Sequence, residues 1–369
     1  MAFRRTLLSL TAVALIAAAC SGDSDDADVT DAGDAVVTTQ TTVPILAGSD
    51  GDEAADDDSA PEPTSLGEVD APFPLTGAEV GDAAAVDNPA LAVKIDNAPT
   101  ALPQAGINDA DVVFEERVEG GLTRFLAIYH SQSSDEVGPV RSARSTDIPV
   151  LATLGQPLFA WSGANAAFAQ LVRDSNVIDV GVEVAFDAYE TRDDRDAPSN
   201  LFSSTEALYA AADGQGQPPR QMFRYRADES FPPSARPIDG ISIDYGATTA
   251  TFTWDESLAG WVRTQDGEVH VDADGDPIAP TNVVVRFVNY IDSGSVDSNG
   301  NPVPEAQIQG QGDAWFLVDG QLIEGSWDQR ARALPAQYLA QNGSFAQLDP
   351  GDTWVVLPQE GTVEVDEAG

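Results

Sequence analysis

Four arginines fall between positions 117 and 144 of a chain that is otherwise poor in basic residues. Arg117 and Arg124 flank a Gly-Gly pair, and Arg141 and Arg144 follow in the segment GPVRSARS. A guanidinium group is planar and donates paired hydrogen bonds, which suits carboxylate and phosphate groups. Arg141 and Arg144 also precede a predicted helix start, where free backbone N–H groups attract anions. These arginines predict an anion-binding site that includes Arg124, Arg141 and Arg144; ion pairs with nearby acids are the alternative.

The carboxylates of the same segment are weak candidates for acid–base chemistry. Glu115, Arg117 and Glu119 are predicted on one face of a strand, with Arg124 opposite Arg117 across a hairpin turn. This arrangement is either an ionic platform for a substrate or a salt-bridge network that satisfies itself. In a catalytic site, Glu115 or Glu119 would act as the acid or the base.

Other polar residues are expected beside the arginines. Asp96 and Asn97 end a predicted strand, a second strand ends shortly before Asn165, and Asn200 lies in the loop DAPSNLF. Ligands of open α/β sheets bind beyond the carboxyl ends of the strands, so these residues are candidate ligand contacts. Lys94, in the middle of a strand, either pairs with a neighbouring acid or marks the site.

Most standard catalytic and metal signatures are missing from the sequence. Because Lys94 is the only lysine, neither a P-loop nor an S-x-x-K serine enzyme is possible. His130 and His270 are far apart in the sequence, which argues against a zinc site or a Ser-His triad. The segments VDADGDP and DSNGN lack the glutamate of a calcium loop and are predicted to be turns. We therefore predict no metal and no cofactor, and whether the protein is an enzyme stays open.

The N-terminus has the pattern of a lipoprotein signal peptide. Residues 1–19 contain Arg4 and Arg5, an apolar run and three alanines, and Cys20, the only cysteine, follows directly. The apolar run is shorter than the about 20 residues that span a bilayer. We predict a signal peptide over 1–19 and lipid on Cys20 that anchors the protein to the outer face of the cell membrane. Ordinary secretion with an incidental cysteine is the alternative.

Charge and composition indicate a tether and exclude one class of partner. Residues 20–72 contain many acids, no lysine or arginine up to residue 70 and no aromatic residue, which predicts a disordered acidic tether. The whole chain has a formal net charge of −43. Nucleic acid is not an expected partner, because its phosphates require clustered positive charge.

Hydrophobic patterning divides the rest of the chain into two predicted domains. Residues 73–230 alternate strands and helices and are predicted to form an α/β (α+β) domain with parallel strand pairs. Residues 237–365 are predicted to form a β-rich domain after the proline-rich segment at 231–237. The predicted strands are 90–95, 111–119, 122–130, 158–161, 177–184, 241–245, 249–254, 260–264, 283–290, 314–318 and 353–357, and the predicted helices are 146–154 and 164–172.

Several of these segments together resemble the YerB-like family of bacterial lipoproteins, which carries a domain of unknown function numbered 3048. They are AVKIDN, PQAGINDADVVFEERVEGGLTRFLAIY, VGPVRSARS, APSNLF, GDAWFLVDGQLIEGSW and LDPGDTW. The resemblance implies a lipid-anchored, two-domain extracytoplasmic protein and does not imply a reaction. Members of that family commonly carry histidine where this chain has Trp161-Ser162 and Ser199.

Three functional hypotheses follow. The first is a membrane-anchored lipoprotein that binds an anionic cell-envelope ligand, such as a cell-wall component, through the arginines. The second is a hydrolase or transferase that acts on envelope polymers with paired carboxylates. The third is a structural or assembly partner of an envelope protein complex, which would expose an apolar patch on the β-rich domain.

Overall fold

The computed structural model describes residues 73–79, 86–228, 230–297 and 300–369. The predicted signal peptide, Cys20 and the predicted tether lie outside this part of the chain. The α-helices of the described ranges are α1 (Asp147–Leu151), α2 (Ala166–Arg173) and α3 (Thr205–Ala211). Short 3-10 turns cover Pro99–Ala101, Ile107–Asp109, Glu119–Gly121, Ala152–Leu154 and Phe186–Ala188.

Strands make up most of the regular structure. Those before residue 230 are β1 (Leu91–Asp96), β2 (Val112–Arg117), β3 (Thr123–Tyr129), β4 (Leu158–Ala160), β5 (Ile178–Asp179), β6 (Tyr189–Thr191), β7 (Leu201–Ser203) and β8 (Arg224–Tyr225). Those after residue 230 are β9 (Arg236–Asp244), β10 (Thr249–Asp255), β11 (Gly260–Gln265), β12 (Glu268–Val269), β13 (Asn282–Arg286), β14 (Tyr290–Val296), β15 (Pro302–Ala306), β16 (Gly310–Val318), β17 (Gln321–Gln329), β18 (Gln337–Ala340), β19 (Gln347–Leu348), β20 (Thr353–Val356) and β21 (Val363–Glu367).

One large mixed sheet runs through both parts of the chain. Its strand order is β12-β11-β10-β9-β17-β16-β13-β20-β2-β3-β1-β4-β5, and β18 and β21 pair with β17 and β9. Strand β20 lies between β2 and β13 and is parallel to both, with Trp354 opposite Val113 and Val283. The residues before and after the proline-rich segment at 231–237 therefore share a sheet.

The predicted α/β region is confirmed in its main features. Strand β1 matches the predicted strand at 90–95, β2 and β3 form the predicted hairpin, and β4 is parallel to both β1 and β5. The strand predicted at 177–184 is much shorter, because Asp179 Oδ1 accepts the backbone N–H of Gly181 at 2.9 Å and starts a turn. Helix α1 begins one residue after Thr146 and tightens into the 3-10 turn Ala152–Leu154.

The later part of the chain is rich in strands, as predicted. From residue 230 onward, the described residues form strands and turns. The strand predicted at 283–290 is divided into β13 and the start of β14. Asp319 and Gly320 have φ values of 47° and 70° and form the two-residue turn between β16 and β17, which explains the Asp-Gly pair.

Side chains of the central strands alternate between two apolar layers. Phe114 and Leu126 pack in one layer, whereas Val113 and Phe125 pack in the other. Strand β1 is buried along its whole length, as expected for a strand that is covered on both faces. The same alternation separates the polar residues of these strands into two groups, and it decides which of them reach the candidate site.

Candidate anion-binding cleft

The register of β1, β2 and β3 sets the direction of the first candidate side chains. Arg124 is opposite Glu116 on β2 and opposite Asp96 on β1, so these three side chains share one face of the sheet. The predicted position of Arg124 opposite Arg117 is wrong, because Thr123 is the residue that pairs with Arg117. A shift of one residue in register moves a side chain to the other face.

A cleft of about 600 Å³ opens at this end of the sheet. It brings together Asp96, Arg124, Arg141 and Arg144, four of the predicted ligand contacts, with the predicted catalytic candidate Glu119. We call it the arginine cleft. Its lining residues are Asp96, Ala98, Thr100, Val118, Glu119, Leu122, Thr123, Arg124, Arg141, Ser142, Arg144, Ala164, Asn165, Phe168, Pro198, Ser199, Val296, Asp297 and Val303.

Arginines hold two of the acids in the arginine cleft. Arg141 Nε lies 3.1 Å from Asp96 Oδ2, and Arg124 Nε lies 3.8 Å from Asp96 Oδ1. Arg144 Nη2 lies 2.8 Å from Glu119 Oε1. Three guanidinium groups therefore share two carboxylates, and this part of the cleft carries an excess of positive charge.

Arg124 and Arg144 are buried with part of their hydrogen-bonding capacity unused. Burial, followed by the charge of Arg144, lowers the pKa of Arg124 to about 10, while Asp96 and Glu119 act in the opposite direction. The Nε atoms of Arg124 and Arg144 are buried and have no hydrogen-bond partner among the described residues. An anion in the cleft would offset the repulsion between the arginines.

The remaining walls of the cleft bring charge of both signs. Asn165 caps α2, since its Oδ1 accepts the backbone N–H of Phe168 at 2.9 Å, and both residues line the cleft. The N-terminus of α2 thus adds partial positive charge. The Asp297 carboxylate also lines the cleft, and it accepts hydrogen bonds from Asn301 N at 2.8 Å and from Asn301 Nδ2 at 3.0 Å. A bound anion would therefore be favoured on the side of the arginines and α2.

Lys94 belongs to an ion-pair group on the same face of β1 as Asp96. Its Nζ donates to Glu116 and, at 2.7 Å, to Asp147 Oδ1. Burial raises the pKa of Asp147, although the charge of Lys94 acts against this. Asp147 Oδ2 also accepts the backbone N–H of Arg144 at 2.7 Å. These contacts support the ion-pair interpretation of Lys94, and they connect the pair to the backbone that carries Arg144.

A second polar network fills the opposite face of the same strands. Arg263 from β11 donates to both carboxylate oxygens of Glu115, at 2.7 and 3.2 Å, and both side chains are fully buried. Trp354 Nε1 and Thr123 Oγ1 donate to the same carboxylate at 3.1 and 2.9 Å. Burial and the Arg263 charge lower the pKa of His270 to about 2. We call this group the sealed network; its members are Asn97, Gln104, Glu115, Thr123, Arg263, Gln265, His270 and Trp354.

The structure corrects the expected positions of three residues. Asn97 is buried and donates to Thr123 at 2.6 Å and to Gln265 at 2.8 Å, so it belongs to the sealed network. Glu115 belongs to the same network and does not line the cleft. Asn200 does not line the cleft either; its neighbour Ser199 does. The physical reason is that adjacent residues of an extended chain point in opposite directions.

Sequence reasoning missed the polar residues next to the arginines and one whole wall of the cleft. Ser199 Oγ donates to Asp96 Oδ2 at 3.2 Å, and the Ser142 carbonyl oxygen accepts from Arg124 Nη1 at 3.3 Å. The hairpin β14–β15 contributes Val296, Asp297 and Val303. Because this hairpin is distant in sequence, no local pattern signals that it packs beside the arginines.

Within the described part of the chain, no three His, Cys, Asp or Glu side chains are grouped as metal ligands. None of the described helices has the length and apolar character needed to cross a bilayer.

The sequence matches both domains of one protein family. Residues 75–218 match the N-terminal domain of DUF3048, a protein of unknown function, and residues 241–355 match its C-terminal domain. The chain belongs to the DUF3048 family, which confirms the resemblance seen in the sequence.

One relative is the protein named "Putative lipoprotein YerB" from Bacillus subtilis (strain 168). It is 28% identical over 294 residues, which cover 76% of this chain and 84% of the relative. The crystal structure of YerB from Bacillus subtilis matches with a TM-score of 0.68 and 23% identity, over 80% of this chain and 99% of that chain. The two proteins share a fold.

Proposed function

We propose that this protein is a lipid-anchored, extracytoplasmic binding protein whose arginine cleft holds an anionic ligand of the cell envelope. One observation carries the proposal: three arginines line the cleft, and the carboxylates that they pair with among the described residues are two, Asp96 and Glu119. Guanidinium groups that are not fully matched by protein carboxylates favour a ligand that supplies an oxyanion. The excess of arginine over paired carboxylate selects an anion.

The proposed anchor is lipid on Cys20. The signal-like segment before Cys20 supports it, as does the description of the relative YerB as a lipoprotein. The acidic segment at 20–72 would then separate the cleft from the membrane surface, because anionic lipid repels it. The cleft would then be accessible to polymers of the cell envelope.

The contacts of the acids favour binding over hydrolysis. Glu115 is enclosed by Arg263, Trp354 and Thr123, and it has no access to the arginine cleft. Asp96 and Glu119 do line the cleft, but each is held by arginine. The hydrolase hypothesis needs a carboxylate that is free to exchange a proton with a substrate.

The binding proposal is tested by thermal unfolding with inorganic phosphate, glycerol phosphate and galacturonate. The chain from residue 20 onward is used with Cys20→Ser, which removes none of the described residues. A ligand at 100 times its Kd adds about 2.7 kcal/mol, which raises Tm by a few degrees. We expect at least one of these anions to raise Tm in the parent and to have little effect in Arg141→Ala.

Arg330→Ala is the matched control, because Arg330 is exposed, makes one surface ion pair and lies outside the cleft. Arg330→Ala removes the same charge as Arg141→Ala, and we expect it to keep the full increase in Tm on addition of the anion. Sodium chloride at equal ionic strength corrects for general screening. No response to any anion, or equal loss in both variants, would contradict an anion site. Either result would favour the hypothesis that the protein binds a protein partner.

The anchor has a separate test in a bacterial host. Cells that express the full chain are labelled with an alkyne fatty acid, and the labelled protein is followed into the membrane fraction. We expect label and membrane association in the parent and neither in Cys20→Ser. Unlabelled parent protein in the medium would instead indicate ordinary secretion.

A further inference from the structure

A second groove of about 350 Å³ lies next to the arginine cleft. The two spaces share Val118, Glu119 and Val303 as lining residues, so they are neighbours around the tip of the hairpin β2–β3. The second groove is also lined by Arg117 and Tyr290, and we call it the Arg117 groove. Glu119, the acid between the two spaces, is paired with Arg144.

Arg117 offers the Arg117 groove a cation that no carboxylate neutralises. Its guanidinium carbon lies 4.6 Å from the centre of the Tyr290 ring. No carboxylate oxygen of the described residues lies within 4.0 Å of its guanidinium nitrogens, although Asp292 also lines the groove. The Asp292 carboxylate accepts the backbone N–H of Gly294 at 2.9 Å. Arg117 is the one arginine of this segment that makes no ion pair with a described residue.

The Tyr290 ring is held firmly beneath Arg117. Its hydroxyl accepts the backbone N–H of Arg117 at 3.0 Å and donates to the Leu357 carbonyl oxygen at 2.8 Å. The ring therefore holds Arg117 in a stacked position, where the guanidinium edge is free to donate to an oxyanion. The stacking on Tyr290 therefore orders the Arg117 side chain.

Hairpin β14–β15 forms a common wall of both spaces. Ile291 lines the Arg117 groove and Val296 lines the arginine cleft, and these side chains are 50% and 56% exposed. Apolar side chains along a charged path supply contact area for the backbone of a ligand, whereas the arginines contact its charges. The wall thus favours a ligand that extends along both spaces.

We infer that the ligand is a linear polyanion that carries phosphate or carboxylate groups at intervals, with one group in the arginine cleft and another at Arg117. This inference rests on the proposed anion-binding function. Arg117 and Arg124 are on opposite faces of their strand pair, because Arg117 is opposite Thr123 and Arg124 is opposite Glu116. Arg117 lines the Arg117 groove and Arg124 lines the arginine cleft, so a small anion held in one of these spaces leaves the cation of the other without an anion. A chain that passes around the turn at Glu119 reaches both spaces.

The test compares inorganic phosphate with linear polyphosphate, and galacturonate with oligogalacturonate, by isothermal titration calorimetry. The protein is the Cys20→Ser chain from residue 20 onward, as parent, Arg117→Gln, Arg141→Ala and Arg330→Gln. We expect Arg117→Gln to weaken binding of the favoured polymer about five-fold and to leave its monomer unchanged. Arg141→Ala should weaken both, and Arg330→Gln neither. Binding of phosphate and polyphosphate would identify the ligand groups as phosphates. Binding of galacturonate and oligogalacturonate would identify them as carboxylates.

The outcomes separate this inference from the proposed function. If the parent binds a monomer and Arg117→Gln binds the polymer as tightly as Arg330→Gln does, the polymer inference is overturned and the cleft remains. If the parent binds none of the four ligands, both proposals fail. Arg117→Lys is a second variant in case Arg117→Gln folds poorly. It keeps the charge and loses the planar stacking, and we expect intermediate binding of the polymer.

Discussion

Two buried polar networks on opposite faces of the hairpin β2–β3 differ in how completely they satisfy their own hydrogen bonds. In the sealed network, Glu115 accepts from Arg263, Trp354 and Thr123, and no member has a buried side-chain atom without a partner among the described residues. On the face of the arginine cleft, Glu116, Arg124 and Arg144 each have one side-chain atom without such a partner.

The difference agrees with a structural role for the sealed network and with the proposed ligand-binding role of the arginine cleft. The sealed network joins β2, β11 and β20, which come from distant parts of the chain, and its donors and acceptors are used within the protein. The arginine cleft contains the same residue types, but its three arginines share two carboxylates and line an open space. A fully satisfied network stabilises one arrangement, whereas a group of arginines with fewer paired carboxylates favours a bound anion.

The largest expected effect comes from breaking the sealed network. Arg263→Met leaves the Glu115 carboxylate buried without its cation, and we expect the free energy of unfolding to fall by about 3–5 kcal/mol. Urea unfolding measures the change. The double variant Glu115→Gln/Arg263→Met should recover part of it, because no uncompensated charge remains. A loss below about 1 kcal/mol in the single variant would mean that the network contributes little to stability.

Lys94→Met tests the ion-pair group on the cleft face. It leaves Glu116 and Asp147 buried beside each other, and we expect a loss of about 3 kcal/mol at neutral pH. The cost should be smaller at pH 5, because protonation of one carboxylate relieves the repulsion. Urea unfolding at pH 5 and pH 8 checks this. Equal costs at the two pH values would show that repulsion between the acids is not the cause.

A further buried carboxylate, Asp111, is held by a serine instead of an arginine. Asp111 accepts from Ser131 N at 2.8 Å and from Ser131 Oγ at 2.6 Å, and burial raises its pKa to about 6. A pKa that is raised in the folded state contributes stability that is present below about pH 4 and is lost as the pH rises through 6. The shift of about two pKa units corresponds to about 2–3 kcal/mol.

Asp111→Asn should therefore flatten the pH dependence of the unfolding free energy between pH 4 and pH 7, relative to the parent. Asp366→Asn is the matched control, because Asp366 is exposed and the charge change is the same. Urea unfolding at several pH values measures both profiles. An Asp111→Asn profile with the parent's slope would show that Asp111 does not titrate in this window.

The smallest loss of stability is expected at Arg141, which has the most exposed side chain of the three cleft arginines. Arg141 has a 25% exposed side chain and one ion pair, with Asp96, so Arg141→Ala should cost less than about 1 kcal/mol. Urea unfolding without added anions measures this cost. A loss above about 2 kcal/mol would place Arg141 with the fold-stabilising residues and weaken its role as a ligand contact.

Local sequence patterns predicted much of what surrounds the cleft. The buried run of β1, the Gly-Gly turn between β2 and β3, and the arginines before α1 are all visible in short segments. The pairing of Arg124 was mispredicted, because the turn sets the register and one residue changes the face. The position of Asn97 was missed for the same reason, since its neighbour Asp96 points the other way.

The residue types of the cleft, the alternation of strands and helices and the strand-rich later region are predictable from the sequence, because they depend on local spacing. The position of β20 between β2 and β13, the pairing of Arg263 with Glu115 and the packing of β14–β15 against the cleft are visible in the folded chain alone. Such contacts join distant segments. Their partners are selected by packing, register and burial of charge across the whole sheet, which no short stretch of sequence contains.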